Sequence, residues 1–225
     1  KSDAETTFQS DRSVSGTISL PKNHQENSKK RILASEFEET KPISTYAFAF
    51  ASGQFQTYVF PDAIGKDKLP STIYVRQSQS PKMDDHVVEV SDLNENVVKY
   101  LEEYFDYKFP FPKYDLVLIP EFPFGGMEHA GATFLRESSI IFPQEPTKND
   151  YISRATLIFH ETAHQWFGDT VTMKWFDDLW LKEGFATFMG FKALEKIMPE
   201  SNAWKAFYER NKVAAYQTDS TKGTT

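Results

Sequence analysis

The sequence predicts an α+β fold in which strands come first and helices last. Three observations predict it. Apolar and polar side chains alternate at period two in several runs up to Arg76. From about Asp84 the apolar period becomes helical. Beyond Asn149, capping residues, glycine and proline divide the chain into successive helices.

In the first third, Val14 to Leu20, Arg31 to Phe37, Tyr46 to Phe50, Gln54 to Phe60 and Thr72 to Arg76 read as strands. In Tyr46-Ala47-Phe48-Ala49-Phe50, large and small residues alternate between opposite faces. Clusters of Pro, Gly, Asn and Lys between the runs suit turns, so the region is expected to be an antiparallel sheet. The turn-rich stretch from Pro61 to Pro70 is the expected domain boundary. Next, Val87, Val90, Leu93, Val97, Val98, Leu101, Tyr104 and Phe105 recur at helical spacing with Glu and Lys between them, predicting one long amphipathic helix. Leu116 to Pro120 reads as a strand, and Gly131 to Phe142 as one or two more. Asn149-Asp150 is placed to cap a helix running to about Phe167, ended by Gly168 in a left-handed conformation. Asp177-Asp178 can cap a second helix, which Pro199 stops, and Ser201-Asn202 a third that carries Trp204, Phe207 and Tyr208 on one face.

Composition narrows the function. A chain of 225 residues, 40% hydrophobic, can bury one large core or two modest ones. Aromatic residues make up 15%, with 20 Phe, which points to bulky packing and an apolar groove. The formal net charge of -7 argues against a nucleic-acid partner, which would call for a basic face, and suits a cationic substrate group. With no Cys, any metal must be held by His and carboxylate. No run of eighteen apolar residues is present, so no membrane-spanning helix is expected. The chain opens at Lys1 and closes on a polar stretch, and is expected to be a piece of a longer protein, so it assigns no compartment.

The chemistry concentrates in three segments. His160-Glu161-Thr162-Ala163-His164 falls inside the first helix of the last third, where residues four apart share a face and both imidazoles can reach one ion. Glu161 projects beside them and can take a proton from an activated water. Read alone, the pattern equally fits two half-buried histidines and a solvated Glu. Eighteen residues after His164 comes Glu183, within Leu181-Lys182-Glu183-Gly184-Phe185-Ala186-Thr187. The break at Gly168 and the reversal through Asp169 to Phe176 allow a returning helix to bring Glu183 level with the histidines, with Gly184 and Ala186 fitting a close crossing. Two His and one carboxylate leave a fourth position open, the catalytic arrangement of zinc. Upstream, Phe124-Gly125-Gly126-Met127-Glu128-His129-Ala130-Gly131 sets a carboxylate in a glycine-flanked, strand-like segment. An extended peptide can add to such an edge, and an acidic group there would pair with an ammonium, although Gly-Gly before Glu is also an ordinary turn.

Together these segments resemble the gluzincin aminopeptidases, the aminopeptidase N and leukotriene-epoxide hydrolase family. The family's exopeptidase motif, Gly-Ala/Gly-Met-Glu-Asn, is similar to Gly125-Gly126-Met127-Glu128-His129, and its zinc motif, His-Glu-x-x-His-x18-Glu, is matched by His160, Glu161, His164 and Glu183. The words His164-Gln165-Trp166-Phe167-Gly168-Asp169, Trp180 to Thr187 and Ser44 to Phe50 are also family-like. The resemblance covers most of the chain from about Arg31 onward.

That resemblance implies residues 1–70 as the C-terminal part of an all-β N-terminal domain, and residues 71–225 as a thermolysin-like catalytic domain, incomplete at its C-terminus. It implies one zinc per chain on His160, His164 and Glu183, Glu161 as general base, and Glu128 with Glu183 as binders of the substrate's free α-amino group. Gly125, Gly126 and Met127 would bind the substrate backbone. The implied activity of the parent protein is zinc-dependent release of N-terminal residues from peptides. The family's Asn is here His129, which changes the shape of the amine pocket. The family's transition-state Tyr falls beyond these residues, and Tyr216 is too close to Glu183 to serve as it. These residues alone are therefore expected to bind zinc with little or no turnover. An epoxide-opening hydrolase on the same scaffold and a non-catalytic binding module are the rival readings; the intact His160, Glu161, His164 and Glu183 set weighs against the module.

Overall fold

The computed structural model describes Thr6–Phe8, Ser13–Gly16, Ala34–Phe37 and residues 40–221. The strands are β1 (Thr6–Phe8), β2 (Ser13–Gly16), β3 (Ala34–Phe37), β4 (Phe50–Ser52), β5 (Phe55–Ile64), β6 (Leu69–Arg76), β7 (Asp115–Ile119), β8 (Gly126–Met127) and β9 (Ala132–Arg136). The α-helices are α1 (Ser80–Met83), α2 (Val87–Phe105), α3 (Glu137–Ile140), α4 (Lys148–His164), α5 (Trp180–Ile197), α6 (Ala203–Phe207) and α7 (Val213–Asp219). Among the described residues no helix is long and apolar enough to cross a membrane.

Strands β1 with β4, and β2 with β3, form two small antiparallel pairs. The expected runs from Val14 and Arg31 thus hold short strands, and the rest of both runs lies outside the described residues. The central sheet has five strands in the order β5-β6-β7-β9-β8. It is mixed: β6 with β7, and β7 with β9, are parallel, and the two outer pairs are antiparallel. Parallel neighbours need a crossover, which α2 supplies between β6 and β7. β7 and β9 each bury four consecutive residues, as central parallel strands do, whereas β6 buries alternate ones, Ser71, Ile73 and Val75.

The segment read as a linker is instead part of this sheet. β5 runs to Ile64 and β6 starts at Leu69, so Gly65 to Lys68 is a hairpin turn, with positive φ at Gly65 (67°) and Lys68 (57°). A side chain at 65 would put its Cβ 2.8 Å from Glu102 Oε1. Glu102, buried on α2, accepts from the backbone N–H of Lys66 at 2.7 Å and of Phe109 at 2.8 Å, tying the hairpin to α2 and to the loop that follows it. Turn-forming composition is shared by linkers and hairpins, and only the pairing partner separates them.

Other elements shift for local reasons. Thr45–Ala47 is a 3₁₀ turn and not part of a strand, with Ala47 buried. Gly131 to Phe142 holds β9 followed by α3 in place of a second strand. α4 begins two residues earlier than expected, because Thr147 is the N-cap and Asp150 closes a reciprocal capping box with it. It ends at His164, where i→i+3 bonds from Gln165 and Trp166 tighten the last turn. Asp177 and Asp178 form a 3₁₀ turn ahead of α5 and do not cap it, and Asn202 precedes α6 in a left-handed conformation without a side-chain cap bond.

One apolar core joins the sheet to the helices. α2 contributes Val90, Leu93, Val97, Val98 and Leu101, the sheet Ile73, Val75, Leu116, Leu118 and Leu135, and α4 and α5 Ile158, Phe159, Ala163, Ala186 and Ala193. The close crossing of α4 and α5 does not use Gly184, which has open space around it. It uses Gly190, where a Cβ would stand 3.1 Å from the His160 backbone N and 3.3 Å from its Cα. Gly190→Val should therefore force the helices apart and destabilise the fold by about 1–3 kcal/mol, as overpacking does. Denaturant unfolding of the variant checks this, and an unchanged midpoint would show that the crossing tolerates bulk.

Candidate active site

The last turns of α4 and the first turn of α5 meet at the three residues that the spacing singled out. His160 Nε2 and His164 Nε2 are 3.1 Å apart, and Glu183 Oε2 lies 3.5 Å from the first and 3.4 Å from the second. Ligands held about 2.0–2.1 Å from a tetrahedral zinc ion stand about 3.3–3.4 Å from one another. The triangle therefore has the size of one face of a zinc tetrahedron, and the donor set, two imidazoles and a carboxylate without thiolate, suits that ion. Outer hydrogen bonds orient both rings. His164 Nδ1 donates to the Phe167 carbonyl at 2.9 Å, and His160 Nδ1 sits 3.3 Å from Thr187 Oγ1. His164 is buried while His160 and Glu183 are partly exposed, so the triangle opens to one side.

Electrostatics sharpen the picture. Burial alone would raise the Glu183 carboxyl, but hydrogen bonds from His160 and His164, the charge of His164 and the Lys182 ammonium hold it far below the usual carboxylate range. Burial lowers His160. In His164 burial acts the same way but is outweighed by Glu183, Glu128 and Glu161, leaving it above its ordinary value. Glu161 is buried, which pushes its carboxyl up to about 8; His164 opposes this, while Glu128 and Glu183 add to it. A divalent cation beside it would favour the ionised form.

Glu161 is not one of the three triangle residues. Its side chain lies against the backbone of β8, where a Cβ on Gly126 would meet its carboxyl and Cγ at 2.5–2.6 Å. Glycine at 126 is thus the space the carboxylate occupies. Gly126 and Met127 form β8, an edge strand of the sheet, opposite Leu135 and Phe134 of β9, and the Gly125 carbonyl just before them accepts from the Arg136 N–H at 2.8 Å. Glu128 follows directly, buried, in contact with the Lys182 ammonium. Burial would raise its carboxyl, but His164 and Lys182 prevail and lower it. His129 turns away from the triangle: its Nδ1 is 3.2 Å from the Ala47 carbonyl and its ring packs on Phe134.

Three contributors were not singled out from sequence. Lys182 bridges Glu128 and Glu183, with Nζ 2.8 Å from Glu183 Oε1. Gln165, fully buried, accepts from the Gly131 N–H at 2.8 Å and donates toward the Glu128 carbonyl at 3.4 Å, so it clamps the β8–β9 segment to the end of α4. Tyr46 places its ring under the Lys182 ammonium at 4.8 Å and its hydroxyl near Gly168. Each stands inside a segment quoted for its family likeness, but a place in such a segment does not reveal where a side chain points.

With this geometry in place, a family profile described as the peptidase family M1 domain matches residues 90–225. The chain belongs to peptidase family M1. Among its curated relatives, "Probable aminopeptidase 2" of Sulfurisphaera tokodaii is 37% identical to the M1 chain over 197 residues, covering 87% of the chain and 24% of that protein. "Leucyl aminopeptidase" of Saccharolobus solfataricus is 33% identical over 211 residues, covering 94% and 26%. "Aminopeptidase N" of Streptomyces lividans is 38% identical over 188 residues, covering 82% and 21%. The M1 chain therefore spans about a quarter of the length of these relatives.

If the triangle is the metal site, Glu183→Ala removes one of three ligands and should release the metal. Equilibrium dialysis against zinc followed by metal analysis is expected to give one zinc per unsubstituted chain and far below one for the variant, with the helical circular dichroism signal retained. Full occupancy in Glu183→Ala would place the metal elsewhere.

Proposed function

We propose that the M1 chain is the zinc-binding core of an aminopeptidase, which hydrolyses the first peptide bond of substrates with a free N-terminus. The observation that carries this reading is the pairing of a zinc-sized His160–His164–Glu183 triangle with two further buried carboxylates, Glu161 and Glu128, on the side facing β8. A triangle alone would suit any hydrolytic metal site. A carboxylate aimed at an ammonium next to it is what restricts cleavage to one residue from the N-terminus. The aminopeptidase names of the relatives support the same reading.

A zinc ion held by His160, His164 and Glu183 would polarise the scissile carbonyl and lower the pKa of water. The chain's own residues do the rest. Glu161 accepts the proton from the attacking water and passes it to the leaving amine, a role that needs a carboxylate whose affinity for protons is raised toward neutrality, as burial does here. Glu128 holds the substrate's α-ammonium, helped by Glu183 Oε1, the oxygen turned away from the histidines. The edge strand β8 is paired on one side by β9, and its other side suits an extended peptide backbone along Gly125, Gly126 and Met127. Gly126 serves twice, since its missing side chain also makes room for Glu161.

Two substitutions in the full-length protein test the roles. Glu161→Gln keeps the size of the side chain but cannot accept the proton, so turnover of an aminoacyl arylamide should fall about a hundredfold or more with zinc content unchanged. Near-normal turnover of the zinc-loaded variant would remove Glu161 from the mechanism. Glu128→Ala deletes a charged partner of the ammonium, which should weaken free-amine substrates roughly ten- to a hundredfold in kcat/KM. An N-acylated arylamide, which brings no ammonium, should change little. Equal losses on both substrates would make Glu128 a structural residue.

A further inference from the structure

Between Glu128 and Glu183, beside the His160–His164–Glu183 triangle, there is already an ammonium, and it belongs to the chain. Lys182 is 5% exposed and Glu128 2%, so neither has bulk water as an alternative partner. The Lys182 Nζ contacts Glu128 Oε1, stands 2.8 Å from Glu183 Oε1, and lies 4.8 Å from the centre of the Tyr46 ring. Two carboxylate oxygens and an aromatic face are the surroundings that a peptide's α-ammonium would seek. Glu183 divides its oxygens accordingly, Oε2 toward His160 and His164 and Oε1 toward Lys182.

We propose that Lys182 is the resident occupant of the ammonium subsite, and that a substrate's α-ammonium binds by exchanging with it. This rests on the reading of Glu128 as the amine-binding carboxylate, and it makes Lys182 a residue that sets affinity and selectivity for free N-termini. A vacant subsite would leave Glu128 buried without a counter-charge, and a buried unpaired charge is strongly destabilising. The tethered ammonium keeps Glu128 paired until the substrate brings its own. Exchange also raises the threshold for entry. A ligand with a neutral group in place of the amine cannot replace a cation held between two carboxylates, so blocked N-termini are rejected by more than one missing hydrogen bond. The displaced head has a route to water: Lys182 is rooted in the first turn of α5, whose neighbours Leu179, Trp180, Gly184 and Phe185 are exposed, and its four-carbon stem is flexible.

Lys182→Met in the zinc-loaded, full-length protein tests the exchange, because it keeps most of the stem and removes the charge. Binding of 3-methylbutylamine, which has an ammonium but no scissile bond, would be measured by calorimetry beside its neutral analogue 3-methylbutanol, with zinc content checked in parallel. The amine should bind the variant about tenfold or more tightly than the unsubstituted protein, since it no longer competes with a tethered cation, while the alcohol should show no gain. The ligand-free variant should melt lower, and the amine should restore much of the loss. If Lys182→Met does not fold, Lys182→Gln, which keeps a donor toward Glu128, carries the same expectation at smaller size. Unchanged or weaker amine binding with zinc retained would show that Lys182 only braces Glu128, and would overturn the exchange. Absence of arylamide hydrolysis by the unsubstituted protein would overturn the aminopeptidase reading itself; hydrolysis without tighter amine binding in the variant overturns the exchange alone.

Discussion

The approach of α5 to α4 at Gly190 is the constraint on which the site depends. A hydrogen in place of a side chain lets the backbone of α5 come against the backbone of His160, with Ala186 and Ala193 buried one turn to either side. Only at that separation does Glu183, in the first turn of α5, bring a carboxylate oxygen within 3.5 Å of both imidazoles at the end of α4. A wider crossing would leave the same three residues on the same faces, too far apart to share one ion. The rigid packing of Ile158, Phe159 and Ala163 beneath them holds that separation.

The second constraint is electrostatic. Glu128, Glu161, Asp169 and Glu183 converge around a single ammonium, Lys182, and the first three are buried. Such a group cannot be fully ionised without more positive charge. The imbalance shows in the two carboxyls that Lys182 does not pair with: burial pushes Glu161 up to about 8 and raises Asp169 well above its ordinary value, with Glu128 adding to both. Asp169 also lacks a hydrogen-bond partner for either oxygen among the described residues. A divalent cation on the triangle would supply the missing charge. The arrangement that makes Glu161 proton-hungry is thus the arrangement that makes the site receptive to a metal.

The β8–β9 edge is joined to this centre by contacts from two sides. Gln165 binds the backbone at Gly131 and Glu128 from the end of α4, and Lys182 binds the Glu128 carboxylate from α5. Beneath them the Tyr114 hydroxyl links Thr133 of β9 to Thr162 of α4 at 2.8 and 3.1 Å. These contacts tie the sheet edge to α4 and α5, as the proposed reaction requires if substrate backbone, ammonium and base are to keep their spacing.

What the sequence determined by itself was whatever depends on local periodicity. The helical register of residues 160 to 164 put both histidines on one face with no help from the rest of the fold, and the apolar stripe of α2 was legible from Val90 to Leu101 for the same reason. Spacing and the surrounding words also pointed to Glu183 as the residue that meets the two histidines, and the packing of α5 on α4 brings it there. Tertiary structure alone decided the features that pair residues distant in sequence. It made Gly65 to Lys68 a hairpin turn and not a linker, because β6 lies in register with β5 and β7. It bent Tyr46 out of an expected strand and set its ring under Lys182. It moved the close helix crossing from Gly184 to Gly190, and it delivered the Lys182 ammonium to Glu128, 54 positions earlier in the chain. Periodicity states which way a side chain faces along its own element; which partner waits on that side depends on how the elements pack, and that is settled by the whole core at once.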